Sequence, residues 1–259
     1  MVGFDQPEKL KHQAHDSIDE SVRIFQIFYD SVQQEHLDSA FIPYDNRENP
    51  RPDLCEYYVF RKEYFSGCCN NGFVGFVSWK FFEKTGLTGS EFQRWIIENP
   101  GYDVYFINPY PMQRCKLNVW RHGNRCHPGI SDLAQNLLLK CGYNIDLLSL
   151  SMAEEDVAFC NYWVGSASFW KKYIDFCDPI YEVIDSKLSE SEVSALMRSA
   201  DKNSGLCYIP YILERLFSTL LTVDSSIHSL SMEQGHSKKL TWADWFQREF
   251  ARTCRRLAS

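Results

Sequence analysis

Tyr102-Asp103-Val104-Tyr105-Phe106-Ile107-Asn108-Pro109-Tyr110-Pro111 is the stretch that decides the fold. Residues 102–107 form a short run dominated by aromatic and β-branched side chains, the composition of a buried strand. Pro109 and Pro111 have no N–H to give to a ladder, so the strand must end before them, and polar Asn108 marks its carboxyl end. Three other runs of the same kind lie on either side: VRIFQIFY at 22–29, GFVGFVSW at 72–79 and VAFCNYWVG at 157–165.

Segments of helical character separate these runs. They cover 54–65, 90–98 and 128–141, one that opens at Ser168 and contains Pro179, 210–222 and 241–257. Ser90 can cap the second, in which Phe92, Trp95 and Ile96 share a face. In the third, Ile130, Leu133, Ala134, Leu137 and Leu138 line one side, and Gly142 stops it. Residues 41–52, 118–127 and 224–239 read as loops, 80–89 as a turn-rich segment, and 186–205 as a polar stretch. Strands alternating with helices predict an α/β fold, a mostly parallel sheet flanked by helices on both faces. The expected organisation is a polar lead-in at 1–22, an α/β domain at 23–222, and a loop plus amphipathic C-terminal helix at 223–259.

Composition narrows the classes of function. The chain has 259 residues, 44% of them hydrophobic, with 27 Lys and Arg against 34 Asp and Glu, a net charge of −7. That balance argues against a general nucleic-acid binder. Residues 1–22 lack the apolar core of a secretory signal, and no apolar run is long enough to span a bilayer, so a cytoplasmic setting with free thiols is expected for the ten cysteines. There is no GxGxxG, GxxxxGK[ST] or GxSxG, which sets aside ordinary dinucleotide, P-loop and α/β-hydrolase chemistry.

In a parallel sheet the ligand lies beyond the carboxyl ends of the strands. Here that rule selects residues 29–30, 78–80, 108–111 and 165–166. Lys80 and Lys84 either pair a phosphate as point charges or are solvated turn residues. Trp79 either stacks a base or sugar or packs in the core. Asn108 faces the expected crevice, whereas Asp103 starts its strand at the far end. His127 is a candidate general base, because imidazole titrates near neutrality, or else it satisfies a loop carbonyl. Glu154, Glu155 and Asp156 are a solvated turn or supply a base. Asn161 and Trp163 lie inside the fourth strand. Arg215, in an apolar helix, is a candidate for a diphosphate contact. Cys115, His122, Cys126 and His127 have irregular spacing for zinc. The final helix, with Trp242, Trp245, Phe246 and Phe250 beside Arg248, Arg252, Arg255 and Arg256, either packs on the domain or lies on an anionic membrane.

Tyr102-Asp103-Val104-Tyr105-Phe106-Ile107-Asn108-Pro109, His127-Pro128-Gly129 with the helix SDLAQNLL, Phe159-Cys160-Asn161-Tyr162-Trp163-Val164 followed by Ser168-Phe169-Trp170, and Glu214-Arg215-Leu216-Phe217 resemble bacterial capsule and lipopolysaccharide glycosyltransferases of the A-type fold (GT-A-like, Rossmann-like). Phe25-Gln26-Ile27-Phe28 and Gly75-Phe76-Val77-Ser78-Trp79-Lys80 extend the resemblance more weakly, to roughly residues 22–222. The resemblance implies a cytoplasmic transferase for surface polysaccharide synthesis. It would move a sugar from a nucleoside-diphosphate sugar to an oligosaccharide or lipid-linked glycan, with peripheral membrane contact through 241–257.

On that basis Gln26, Asp45, Asn46, Ser78, Trp79, Lys84, Asn108 and Arg215 bind the donor. Trp120, His122, Asn161 and Trp163 bind the acceptor, and His127 or the acids 154–156 act as base. Tyr110 joins Trp79, Trp120 and Trp163 as a candidate stacking ring. Such enzymes often carry Asp-x-Asp after the third strand to hold Mn2+ or Mg2+. This chain has Asn108-Pro109-Tyr110 there, so no metal ligand is assigned, and Lys84, Arg215 or a histidine would offset the diphosphate charge. Two other functions fit the same residues, a non-catalytic carbohydrate- or nucleotide-binding module and a zinc-containing interaction domain.

Overall fold

A computed structural model describes residues 21–110, 118–201 and 205–232. The fold is α/β, a six-stranded mostly parallel sheet flanked by helices. Strands β1 (Val22–Phe28), β2 (Ile42–Asp45), β3 (Phe73–Ser78), β4 (Val104–Ile107), β5 (Trp163–Ser166) and β6 (Ser229–Met232) lie in the order β2-β1-β3-β5-β4-β6. Pairs β1/β2, β1/β3 and β4/β6 are parallel. Strand β5 runs antiparallel between β3 and β4, setting Gly165 opposite both Val74 and Val104.

Nine α-helices occur among the described residues: α1 (Ser31–Gln34), α2 (Glu56–Phe65), α3 (Phe81–Thr85), α4 (Gly89–Glu98), α5 (Val119–Cys126), α6 (Ile130–Lys140), α7 (Ala167–Ser186), α8 (Glu190–Met197) and α9 (Tyr208–Val223). None is long and apolar enough to cross a membrane. The eight cysteines among these residues are free thiols.

Side chains alternate across the strands and divide the core in two. Ile27, Val74, Phe76, Val104, Phe106 and Trp163 face a thick layer with buried residues from α2, α5, α6, α7 and α9. Val22, Ile24, Val77, Tyr105, Ile107, Tyr162 and Val164 face a thinner one with Phe81 of α3 and Phe92 and Ile96 of α4. Gly75 lets β5 approach: a Cβ there would lie 2.7 Å from the Trp163 carbonyl oxygen and 2.7 Å from a Val164 methyl.

The structure corrects several boundaries. The stretch 118–127, expected as a loop, forms α5 because Asn118 caps it. Asn118 Oδ1 accepts from the Trp120 and Arg121 amides at 2.8 and 2.9 Å, while its Nδ2 donates to the Leu147 and Leu150 carbonyls. The 41–52 loop contains β2, an edge strand, where Pro43 costs no interior ladder bond. The polar loop 224–239 contains β6, the opposite edge. Helix α8 occupies the polar stretch 186–205, closed at its start by a Ser189–Glu192 capping box. Pro179 lies inside α7 without dividing it. Of the lead-in expected at 1–22, Val22 already belongs to β1 and residues 1–20 lie outside the described residues, as does the C-terminal helix expected at 241–257.

Candidate functional site

Strand β1 leads to β2 on one side and pairs with β3 on the other, so the chain reverses its winding across the β1/β3 pair. Strand ends splay at such a point and leave a crevice at their carboxyl side. Tyr29 follows β1, Asn46 follows β2 and Cys55-Glu56 open α2. Ser78 ends β3, Trp79 and Lys84 follow it, and Asn108 and Tyr110 follow β4. Because β5 is antiparallel, its start lies at this edge. Cys160, Asn161 and Tyr162 therefore arrive here, and Gly165 and Ser166, expected here from a parallel strand, lie at the opposite end.

Lys84 is central. Its Nζ donates to Cys160 Sγ at 3.4 Å and sits 5.8 Å from the Tyr162 ring centre, and no carboxylate among the described residues lies within ion-pair reach. Burial works against its charge. Cys160, Tyr162, Tyr110 and Glu214 more than offset that, so the ammonium is held above its ordinary range. Burial, then Glu214, pushes the Cys160 thiol up to about 12, with Lys84 opposing, so at neutral pH the sulfur is an uncharged acceptor. Ser78 Oγ and the Tyr162 hydroxyl are 3.0 Å apart.

Two carboxylates face this cation electrostatically from separate helices. Glu56 begins α2, and burial raises it, with Glu214 of α9 adding and Lys84 opposing. Burial also raises the Tyr29 hydroxyl, with Glu56 and Cys55 adding and Asn46 opposing. Cys55 and Cys160 are the two non-glycine residues with positive φ among the described residues, at 47° and 67°. L-residues adopt that conformation at a cost and concentrate it at functional sites. Asn161 Oδ1 is a buried acceptor with no hydrogen-bond partner among the described residues.

Of the donor-side candidates, Ser78, Trp79, Lys84, Asn46 and Asn108 reach this edge. Trp79 is half-buried, with Lys80 Nζ 4.9 Å and the His36 ring 6.3 Å from its ring. Asp45 is exposed and paired with Arg47. Two side chains are committed to the scaffold. Gln26 accepts from the Asp38 amide at 2.7 Å and donates to the Ser78 and Trp79 carbonyls. Asn108 donates to the Val157 carbonyl at 3.0 Å and accepts from the Tyr110 amide at 2.9 Å. Both shape the crevice through the backbone they hold. Arg215 is buried, donating to the Val119 and Tyr211 carbonyls at 3.1 and 2.8 Å, and its Nε stands where a Cβ on Gly123 would come within 2.9 Å. It ties α9 to α5.

Other candidates are placed elsewhere. Trp120 and Trp163 are at most 1% exposed, too enclosed to stack a ligand. The Trp120 indole donates to Thr219 Oγ1 at 3.0 Å, and the Trp163 ring packs among Phe60, Trp170 and Phe217. His122 lies 4.7 Å from the Phe159 ring and 3.8 Å from Cys126 Sγ. His127 is buried, stacked on Tyr211 at 3.9 Å with Nδ1 3.3 Å from the Ala200 carbonyl. Burial and then Arg215 lower its pKa, keeping it neutral.

Glu154, Glu155 and Asp156 form a short 3-10 turn, with Asp156 reaching Ser229 of β6 at 3.5 Å. That edge strand is three inter-strand spacings, about 14 Å, from β3. Among the described residues no three His, Cys, Asp or Glu side chains gather to hold a metal ion. Cys115 lies outside them, and Asn108, where the resemblance would put a carboxylate ligand, is already spent on the backbone. The strand-end rule selects Tyr29, but sequence reasoning missed Glu56, Cys55, Cys160 and Glu214 as site residues. A positional signal existed for Cys160, which lies just before β5; Cys55 and Glu56 open α2 away from any strand end, and Glu214 lies inside α9.

Compared with protein-family models, with curated proteins and with solved structures, the chain matched none.

Proposed function

We propose that the protein transfers a sugar from a nucleoside-diphosphate sugar to a glycan acceptor, with the donor's diphosphate in the β1/β3 crevice. One observation carries this reading: Lys84 is a permanently charged, partly buried cation whose hydrogen bond goes to a neutral thiol rather than to a carboxylate. A cation kept out of ion pairs at a strand-end crevice is suited to an anionic ligand, and there it would stabilise the departing diphosphate. Trp79 and Tyr110, both accessible at this edge, offer rings for a base or sugar. Glu56 and Glu214 take over the role of base, removing the proton from the acceptor hydroxyl as the glycosidic bond to the donor breaks. No step is routed through a metal. The cytoplasmic setting and a role in surface polysaccharide synthesis belong to the same proposal.

The test is a thermal-shift screen of nucleoside diphosphates and their sugars, followed by assay of donor turnover. Selective stabilisation with release of nucleoside diphosphate supports the transferase. Selective binding without turnover, with or without added acceptors, leaves a carbohydrate- or nucleotide-binding module instead.

A further inference from the structure

A groove of about 830 Å3 opens where the end of α5 meets the segment joining α8 to α9. Arg125, Cys126 and Pro128 form one wall, and Arg198, Asp201 and Tyr208 the other. The Tyr208 hydroxyl donates to the Pro128 carbonyl at 2.8 Å and ties the walls together. The volume is within the range of small-molecule sites.

Among the described arginines outside this groove, Arg94 of α4 is exposed and unpaired, as Arg125 and Arg198 are within it, whereas the others are committed. Arg47, Arg51 and Arg61 are each spent on carboxylates, Arg47 on Asp45, Arg51 on Asp53 and Asp185, and Arg61 on Asp178 and Glu182. Arg23 and Arg121 are spent on carbonyls. Arg125 and Arg198 are exposed, and neither is hydrogen-bonded or ion-paired among the described residues. Arg198 only lies over the Tyr208 ring, at 5.6 Å. Asp201, the single acid among the described lining residues, is occupied by the Tyr211 hydroxyl at 2.8 Å and faces His127 at 3.8 Å. In a protein of net charge −7, two unpaired guanidinium groups lining one groove are an exception to the prevailing charge. Guanidinium is a planar fork of donors that matches phosphate oxygens in pairs, and it is weakly hydrated enough to exchange water for them.

We infer that this groove is a second binding site, separate from the crevice, which takes the phosphate group of a small phosphorylated ligand between Arg125 and Arg198. It stands whether or not the crevice transfers sugar.

The test is calorimetric titration of the full chain with inorganic phosphate and with glucose 6-phosphate at low ionic strength. Wild type, the double variant R125Q/R198Q and the crevice variant K84M are compared. The expected result is at least about a tenfold loss of affinity in R125Q/R198Q and retention in K84M, equivalent to about 1.4 kcal/mol or more. Alkylation of the exposed Cys126 by iodoacetamide, followed by mass spectrometry, should slow when phosphate saturates wild type and not when it is added to the double variant. Tighter binding of glucose 6-phosphate than of phosphate would extend the site to a sugar phosphate, and equal binding would confine it to the phosphate group. Loss of binding in K84M with retention in R125Q/R198Q would overturn the inference and return the anion to the crevice. So would a double variant that loses melting temperature but no affinity, because the arginines would then only offset the carbonyl ends of α5 and α8.

Discussion

Lys84 Nζ lies 3.4 Å from Cys160 Sγ and makes no ion pair with a carboxylate among the described residues. The two residues come from different parts of the chain, one just after β3 and the other just before the antiparallel β5. Their meeting defines where an anion would sit. Replacing Lys84 with Met should therefore weaken nucleoside diphosphate binding by at least about tenfold, the loss of one charge-assisted contact. The melting temperature should fall modestly, since the fold holds this ammonium above its ordinary range and its charged form therefore contributes stability at neutral pH. Calorimetric titration together with a melting curve checks both halves.

Trp79 and Trp120 should separate function from stability. Trp120 is fully buried and its indole is bonded to Thr219, so Trp120→Ala should cost about 3–5 kcal/mol of unfolding free energy. Trp79 is half-buried at the crevice. Trp79→Ala should cost far less stability and lower ligand affinity. Urea denaturation and a binding titration, run on both variants, give the comparison.

Glu56 has its folded pKa raised, by burial first, above the ordinary value of 4.5. The native state then holds the proton more tightly than the unfolded chain, so stability falls as pH rises from that value through the raised one. Glu56→Gln should remove this fall. Its melting temperature should exceed wild type's at neutral pH and converge with it in acid. If Glu56 is also the base, turnover should collapse in the variant at every pH.

Glu192 behaves in the opposite sense. Hydrogen bonds from the Ser189 amide first, then from Asn136, Ser189 Oγ and Lys140, depress its carboxyl to about 2. Its contribution is complete above the unfolded value and is lost as pH falls toward 2. Glu192→Gln should flatten that part of the acid limb of a stability–pH curve, measured by chemical denaturation at a series of pH values.

Gly75→Ala tests the β3/β5 contact. The added methyl would press on the backbone of Trp163 and the side chain of Val164, which cannot yield without parting the strands. A loss of about 1–3 kcal/mol is expected, against a small effect for an alanine at exposed Gly101 beyond the strain of its positive φ.

Local chemistry determined much of this protein. Val104–Ile107 had to be a buried strand that ends at Pro109, and the alternation of apolar runs with helical segments implied a layered α/β sheet. It also placed Ser78, Lys84 and Asn108 near strand ends, because those positions follow from chain order alone.

Tertiary structure decided the rest. The direction of β5 depends on its neighbours in the sheet, and reversing it exchanged Gly165-Ser166 for Cys160-Asn161-Tyr162 at the crevice. Trp120, Trp163, His127 and Arg215 have side chains that suit either a ligand or a core, and only packing, burial and hydrogen-bond partners committed them to the core. Glu56 and Glu214 are 158 positions apart in the chain. No local pattern joins them, and they share one electrostatic environment because α2 and α9 pack on the same face of the sheet.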